Sequence, residues 1–307
     1  MKYYVIANPA SAHGRGAEFI PRIQRALKKH GLDFELAVSQ YPWHAAELSE
    51  QAARRGADVV VSAGGDGTAN EVANGLLLAQ ARGMRHTALG LISIGTGNDL
   101  AAGLGLSADL DDAILQLKSG ASRWVDVGFA RSDNFPAGRY FINCVGVGFD
   151  AAGTILARDD PFGSGFVAYL FAAIQTIFTY HASAPTLRIE VDGATIVQKS
   201  LMVSVMNGRR IGGGFLTAPD ARMDDGYLDL CVARAVGRLR MFVLLPHFVR
   251  GTQSTQPEIR MLRGKRVKIT AVEGVMPVQM DGEIFSENGL LLEIEIYPGQ
   301  LQIVGAS

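Results

Sequence analysis

The stretch from Asp58 to Gly75, DVVVSAGGDGTANEVANG, constrains the fold more than any other in the chain. Val59-Val60-Val61 is a β-branched run that suits a strand buried on both faces. Gly64-Gly65-Asp66-Gly67-Thr68 interrupts the run, and a helical pattern follows with Val72, Leu76 and Ala79 on one side. A strand, a glycine turn and a helix N-terminus together make an anion site. Glycines let the backbone approach a phosphate, and the first-turn N–H groups have no partner inside the helix. The helix end carries roughly half a positive charge, worth about 0.3–2 kcal/mol to an anion. Asp66 is the odd residue there, because a carboxylate aimed at a phosphate repels it unless a metal ion or a set of donors lies between. A lone Gly-Asp-Gly is ordinary turn and cap chemistry. Here it joins a buried strand to a helix, and a second turn like it, Gly95-Thr96-Gly97-Asn98-Asp99, follows downstream. Phosphoryl chemistry is then the stronger reading.

The flanking sequence repeats the same unit. Tyr3–Ala7, Phe34–Val38 and Ala88–Ile94 read as strands. Helices are expected after the small-residue loop 8–16, with Phe19, Ile23 and Leu27 at i, i+4 and i+8, from about His44 to Arg55, and over Asp109–Lys118. Gly31, Gly56 and Gly120 mark their ends. Alternating strands and helices joined by short glycine-marked turns predict a parallel α/β sheet, with ligands bound beyond the carboxyl ends of its strands. Near Arg123 the rhythm changes. Trp124–Gly128, Tyr140–Val145, Leu187–Val191, Leu201–Met206, Leu228–Val232, Val267–Thr270 and Leu291–Ile296 read as extended, with only two helices, near Phe166–His181 and Leu239–Val249. Strands in succession predict an antiparallel, sandwich-like domain.

A chain of 307 residues predicts two domains. The expected division is 1–128 and 129–296, with 297–307 a candidate to return to the first. A formal charge of −1 argues against a nucleic-acid partner. Cys144 and Cys231 form neither a disulfide framework nor a zinc motif, and suit a reducing cytosol as small buried residues. The N-terminus runs straight into a strand without the shape of a signal peptide. The most apolar window, Phe166–Tyr180, is too short to span a bilayer and reads as a packed helix. Charge is segregated nonetheless. Between Cys231 and Thr270 lie nine Lys and Arg residues against the single Glu258, which makes a docking face for anionic lipid and a merely solvated surface equal readings.

No Walker A sequence, Ser-His-Asp elbow or paired-histidine metal motif occurs. Gly146-Val147-Gly148-Phe149-Asp150-Ala151 matches a loose dinucleotide fingerprint, but no helix is expected to open there. The stronger signal is a scatter of acids in glycine settings: Asp66, Asp99, Asp126 in VDVG, Asp225 in DDGY, and Asp281 with Glu283 in MDGE. Each alone reads equally as a cap or a turn. Asp66 and Asp99 follow strands of one sheet edge, which predicts that they converge. If Asp281-Gly282-Glu283 is extended, both acids face one side; a turn at the glycine would separate them.

These motifs resemble the soluble bacterial diacylglycerol kinase and YegS-like lipid kinase family, related to sphingosine and ceramide kinases. The resemblance rests on Asn8-Pro9, GGDGTANE (Gly64–Glu71), GTGNDLA (Gly95–Ala101), VDVG (Val125–Gly128), Asn207-Gly208 with Gly212–Gly214, Ala218–Leu230 and QMDGE (Gln279–Glu283). GGDGT alone is shared with NAD kinases; its combination with GTGND and a late DGE is far more specific to lipid kinases. Ser93-Ile94 stands where the family usually has Pro-Leu, and Ala102 where it has Arg.

The resemblance implies an N-terminal Rossmann-like parallel α/β domain that binds ATP, a C-terminal antiparallel β-sandwich-like domain that binds lipid, and an active site in the cleft between them. It implies an ATP- and Mg²⁺-dependent kinase transferring the γ-phosphate to a lipid hydroxyl, with diacylglycerol or a similar lipid as acceptor. Asn8, Ser39, Gly64, Gly65, Asp66, Gly67, Thr68, Asn70, Glu71, Gly95, Thr96 and Asn98 would line the nucleotide site. Asp66, Asp99, Asp126 and Asp281 would form an acidic network for Mg²⁺, and Glu283 would be the general base. Asp225, with the carbonyls of Arg222 and Tyr227, would hold a second, structural Mg²⁺. It further implies a cytoplasmic enzyme working transiently at the inner membrane face, with a homodimer a candidate assembly. The alternatives are an NAD kinase-like enzyme, disfavoured by GTGND and DGE, and a catalytically silent nucleotide-binding regulator, disfavoured by retention of every acidic position.

Overall fold

The structure, a computed structural model, describes all residues other than Thr96, 159–165, 181–183 and Ser307. The chain forms two compact units, Met1–Val125 with Gly299–Ser307, and Asp126–Pro298.

In the first unit the elements alternate: β1 (Tyr3–Ala7), a short turn α1 (Ser11–Gly14), α2 (Gly16–Lys29), β2 (Phe34–Val38), α3 (His44–Arg54), β3 (Val59–Gly64), α4 (Asp66–Ala81), β4 (Ala88–Ser93), α5 (Asp99–Gly103) and α6 (Leu110–Ser119). Each helix ends where the sequence changes chemistry. Gly31 and Gly120 take left-handed φ of 68° and 70°, which glycine adopts without a Cβ clash. Asp109 caps α6, accepting from the N–H groups of Asp111 and Asp112. The strands lie in the order β4-β3-β1-β2, all parallel, and Ile303 near the C-terminus pairs in parallel with Leu89 on the far side of β4. Val5, Val61, Ile23 and Leu27 are among the residues of one buried core. The chain leaves β1 in one direction to β2 and then crosses to β3 on the other side, so the strand order reverses between β1 and β3. In open α/β sheets a crevice for ligands forms at such a point. Asn8 follows β1 and Gly64–Thr68 follows β3, so both flank it.

The second unit is dominated by antiparallel strands. Its elements run from β5 (Ser122–Ser132, which begins in the first unit) through β6 (Arg139–Phe141), β7 (Cys144–Gly148), α7 (Phe149–Arg158), α8 (Phe166–Thr179), β8 (Thr186–Val191) and β9 (Ala194–Met206). They continue as β10 (Leu228–Arg234), α9 (Arg238–Arg250), β11 (Ile259–Gly264), β12 (Arg266–Glu273), β13 (Met276–Met280), β14 (Glu283–Gly289) and β15 (Leu291–Val304). The thirteen residues of β9 serve two sheets. Ala194–Lys199 pair with β8, and the following residues to Met206 pair with β7 and β10. Its burial follows this use. The first half alternates with exposed positions, whereas Ser200–Met206 is buried throughout. On one side Val203 and Val205 join a core with Ile189, Ile269 and Ile294 of the other sheet. On the other side Met202, with Cys231 and Ala233 of β10, packs on Ile177 of α8 and Met241 of α9. Both cysteines are free and buried.

The secondary structure departs from the sequence reading at identifiable places. Tyr140–Val145 is not one strand; it breaks between β6 and β7 at Ile142-Asn143, for a reason given below. A third helix, α7, opens at Phe149 after Gly148, where the sequence pattern predicts none. Strands β11, β13 and β14 are additions to the strands read from sequence. Pro277 sits inside β13, and proline argues against a paired strand; IRMLRG and EIFSENG lack clean apolar alternation. The end of the predicted helix near His181 lies outside the described residues. Among the described residues no helix is long and apolar enough to cross a membrane.

Candidate active site

In the first unit the two glycine turns meet. Gly65 is the N-cap of α4, in extended conformation and with no side-chain capping bond. The first turn of a sixteen-residue helix therefore starts beside bare backbone. A Cβ placed on Gly95 would lie within clashing distance, 2.4 Å, of the Cα of Gly65. Glycine at both positions is what lets the loop after β4 touch the loop after β3. A Cβ on Gly64 would lie 2.4 Å from Thr68 Oγ1. That hydroxyl accepts a 2.9 Å hydrogen bond from Asn8 Nδ2. Asn8 thus ties the end of β1 to the first turn of α4 across the point where strand order reverses.

The same geometry resolves the conflict over Asp66. Its Oδ2 accepts from the N–H of Asp99 at 3.0 Å, and its Oδ1 from the N–H of Leu100 at 3.1 Å. The carboxylate caps the first turn of α5, satisfying two donors that a helix start leaves open, and each oxygen keeps a further lone pair. Asp66 and Asp99 do converge, as expected from their shared sheet edge. Asn98 holds a left-handed φ of 51° between the turns; its Nδ2 donates to the Gly95 carbonyl at 3.0 Å. Its Oδ1 is buried with no hydrogen-bond partner among the described residues. A buried acceptor without a donor, next to a backbone cradle, fits a site completed by a bound group.

Other residues expected at the nucleotide site are held in the scaffold. Glu71, buried, accepts from the N–H of Ala45 at 3.1 Å and so caps the start of α3. Asn70 accepts from Asn74 one turn along α4. Ser39 is buried just beyond β2, its N–H bonded to the carbonyl of Ala7. Thr96 lies outside the described residues.

In the second unit the acidic residues form a network that sequence spacing conceals. Asp281-Gly282 is a turn, with φ of 47° and 85°, and Glu283 opens the next strand. The extended alternative for this segment does not occur. Asp281 Oδ2 accepts from Ile142 N at 2.8 Å, and Oδ1 from Asn143 N at 3.0 Å and Cys144 N at 2.8 Å. These donors are the break between β6 and β7, so one buried carboxylate replaces the missing ladder bonds there. Asp126, also buried, accepts from Gly226 N at 2.6 Å, while its own N–H donates to Met223 O at 2.6 Å. It therefore fixes the loop that carries Asp225. Asn207 joins the two acids: its Nδ2 donates to the carbonyls of Asp126 at 2.9 Å and Ile142 at 2.6 Å. Asn207 Oδ1 is a second buried acceptor with no hydrogen-bond partner among the described residues. The sequence motif contains Asn207, but nothing local marks it as a junction.

Asp225 accepts from the N–H of Tyr227 at 3.2 Å and pairs closely with Arg263, whose guanidinium also lies 4.5 Å from the Tyr227 ring centre. Glu283 is partly exposed and lies 3.6 Å from Arg139 Nη1. Among the described residues no three His, Cys, Asp or Glu side chains cluster as metal ligands. The donors present are carboxylate and carbonyl oxygens, which suit Mg²⁺ chemically. That ion is commonly held by one or two carboxylates plus substrate phosphate and water.

Asp150, in the first turn of α7, is an acid that the sequence reading does not single out. It is half-buried against Ser204, whose hydroxyl donates to it at 2.7 Å. Burial pushes its carboxyl up to about 7. A Cβ on Gly146 would lie 2.1 Å from Asp150 Oδ2, so the glycine of the fingerprint makes room for this acid rather than for a dinucleotide. A groove of about 700 Å³ on the sheet of β8, β12 and β15 is lined by Arg131, Glu293, Arg266 and Glu295, cross-strand ion pairs. None of the expected site residues lines it.

The family model for the diacylglycerol kinase catalytic domain matches residues 2–130, and that for the YegS C-terminal NAD kinase beta sandwich-like domain matches residues 143–305. The chain is 28% identical to the diacylglycerol kinase of Bacillus subtilis (strain 168), over 91% of this chain and 88% of that protein. It is 29% identical to a protein of Chromohalobacter salexigens named "Probable lipid kinase YegS-like", over 94% and 90%. The crystal structure of a diacylglycerol kinase from Bacillus anthracis str. Sterne superposes with a TM-score of 0.72 at 22% identity, covering 99% of this chain and 96% of that one, a likeness of fold. The chain belongs to the diacylglycerol kinase and YegS-like lipid kinase family, and its activity is that of a lipid kinase.

Proposed function

We propose that the phosphoryl donor is ATP with Mg²⁺ and that the acceptor is the hydroxyl of diacylglycerol or a lipid like it. The observation that carries this is the paired glycine turn at the β1/β3 reversal, with Asp66 turned away onto α5. A helix N-terminus and bare glycine backbone stand there, the setting in which phosphate is bound. The relatives' names, diacylglycerol kinase among them, favour that acceptor.

In this reading the first unit holds the nucleotide. The backbone of Gly64–Thr68 and Gly95–Asn98 cradles the phosphates, Asn8 locks Thr68 in place, and Glu71 and Asn70 fix α4 against its neighbours. The second unit takes the lipid. Asp66 and Asp99 of the first unit, and Asp126 and Asp281 of the second, are the carboxylates that would serve Mg²⁺ in this reading, through water and the lone pairs that their backbone bonds leave over. When bound, the metal supplies positive charge that offsets the phosphate oxygens. Phosphoryl transfer needs little covalent help from a protein beyond positioning and charge. Glu283, the partly exposed acid after the turn, accepts the hydroxyl proton; Arg139 holds its carboxylate in place. A second cation would sit at Asp225 and the carbonyls of Arg222 and Tyr227. Arg263, about half exposed, would swing off the carboxylate to admit it. The enzyme then works at the cytoplasmic face of a membrane, where such acceptors reside.

Incubation with γ-labelled ATP, Mg²⁺ and a total lipid extract, followed by mass spectrometry of labelled products, tests the proposal. A phosphorylated diacylglycerol-type lipid is expected, with no transfer to NAD added as a competitor. Label on NAD alone, or on nothing, would overturn it.

A further inference from the structure

Helices α8 and α9 are apolar on two faces. Their inner faces share one buried cluster, through Ile177 of α8, Tyr180 just beyond its end and Met241 of α9. Their outer faces carry a second stripe. On α8, Val167, Phe171 and Phe178 recur at i, i+4 and i+11; on α9, Leu239, Val243 and Pro246 recur at i, i+4 and i+7. The exposure of the five large apolar residues in these stripes runs from 45% at Phe171 to 84% at Leu239. The helices are neighbours. The rings of Phe178 and Phe242 lie 5.8 Å apart, and Arg238 Nη2 donates to the Phe178 carbonyl at 3.0 Å. Both helices pack on the same cluster, and the α8 stripe meets α9 at Phe178, through Arg238 and Phe242. Scattered surface apolar residues are normal, but a contiguous patch of this kind marks an interaction surface.

Charge identifies what covers it. Neither Phe166–Thr179 nor Arg238–Arg250 contains an Asp or Glu, and exposed arginines stand at both ends of α9, Arg238 and Arg250. The wider basic run from Cys231 to Thr270 is a poorer candidate for a docking face than its composition suggests. Arg240 pairs with Glu258, Arg263 with Asp225, Arg266 with Glu295 and Lys268 with Glu293. Much of its charge is therefore neutralised within the unit. What remains is an apolar stripe about 20 Å long on α9 with an exposed arginine at each end, and the acid that α9 engages, Glu258, is held by Arg240. Helices of this pattern lie in the plane of a bilayer interface, with the apolar face sunk about 5–10 Å and the arginines at anionic headgroups.

We propose that the outer stripes of α8 and α9 form the surface by which this enzyme inserts into an anionic lipid bilayer. The choice of a bilayer over a protein partner rests on the lipid-kinase reading, since the acceptor resides in that bilayer.

The test is co-sedimentation of the full chain, without nucleotide, with vesicles of phosphatidylglycerol and phosphatidylcholine. The wild type is expected to bind. Leu239→Glu/Val243→Glu and Val167→Glu/Phe171→Glu are each expected to bind at least about tenfold more weakly, at unchanged melting temperature. All three proteins should phosphorylate a short-chain diacylglycerol dissolved as monomer at equal rates. Leu239→Trp supplies a second readout in an otherwise intact protein. Its added indole emission should shift to the blue on vesicles and be quenched by lipids brominated in the acyl chain. Unchanged binding in both glutamate variants, absence of wild-type binding, or an emission from the Leu239→Trp protein that ignores vesicles would overturn the proposal. So would loss in the glutamate variants of a self-association seen in the wild type without vesicles, which would assign the stripes to a second copy. Because binding is read without nucleotide, its failure is separate from failure of the kinase reading, which would show as no transfer to the soluble lipid in any of the three.

Discussion

The first unit builds its candidate site from absent side chains, and the second its acidic network from buried ones. Around Gly65 and Gly95 the candidate groups are backbone N–H donors at a helix start, where two loops meet because neither glycine carries a Cβ. Around Asp281 and Asp126 the donors are again backbone N–H groups, but here carboxylates come from about a hundred residues away or more to satisfy them. Removing a side chain from the first kind of site changes what can bind. Removing one from the second leaves buried donors without acceptors and threatens the fold. Acidic residues with the same look in the sequence therefore differ in what they hold up.

The largest expected effect follows from this contrast. Asp281→Ala orphans three buried N–H groups, each costing about 1–3 kcal/mol, so the second unit should lose several kcal/mol or fail to fold. Denaturant melts of Asp281→Ala and Asp66→Ala compare the two directly. Equal midpoints would break the distinction. Next in size is Gly95→Ala, which sets a Cβ against the backbone of Gly65. It should cost about 1–3 kcal/mol and weaken nucleotide binding, read by calorimetry with ATP. Normal ATP affinity in a folded Gly95→Ala protein would remove the cradle from the account.

Asp150 sharpens the comparison by pH. Burial raises its folded value to about 7 from the ordinary carboxyl value of 3.8, so the folded state holds the proton more tightly than the unfolded chain. Stability from this group is complete below the unfolded value and is lost as pH rises from there through about 7. Between about pH 5 and pH 7 the loss is on the order of 2 kcal/mol. Asp150→Asn should flatten that fall in melting temperature, whereas a slope identical to wild type would mean the acid is already charged. The smallest stability effect is that of Asp66→Ala. It removes a cap from α5 and should cost about 0.5–2 kcal/mol, yet phosphoryl transfer should nearly vanish. Near-normal turnover in that variant would reduce Asp66 to a cap.

How much is legible in the sequence follows the same division. The parallel unit declares itself locally: each strand, glycine turn and helix start lies within one short stretch, so strands β1 to β4, helices α2, α3, α4 and α6, and the meeting of GGDGT with GTGND follow from sequence, whereas α1 falls in a stretch read as loop. The second unit depends on partners distant in the chain. Nothing near Ile142-Asn143 says that a carboxylate at position 281 will stand in for strand pairing there. Nothing near Asn207 says that it bridges Asp126 and that break. Asp150 stays hidden because Gly146-Val147-Gly148 reads as nucleotide backbone, while its tightness serves a half-buried acid. The choice between turn and extended chain at Gly282 is undecidable locally because an Asp-Gly pair fits both, and the hairpin of β13 with β14 decides it.

The claim at the centre is that the two kinds of site divide the labour, nucleotide to the glycine turns and proton transfer to Glu283. The kinetics of Glu283→Gln test it most directly, because the substitution keeps the shape and the neighbouring turn while removing the base. Measure nucleotide affinity and, under conditions where chemistry limits turnover, kcat for transfer to diacylglycerol. The account expects ATP affinity near wild type and kcat lower by about 10²–10⁴. A Glu283→Gln enzyme with wild-type kcat, or one whose loss lies entirely in ATP binding, would contradict it.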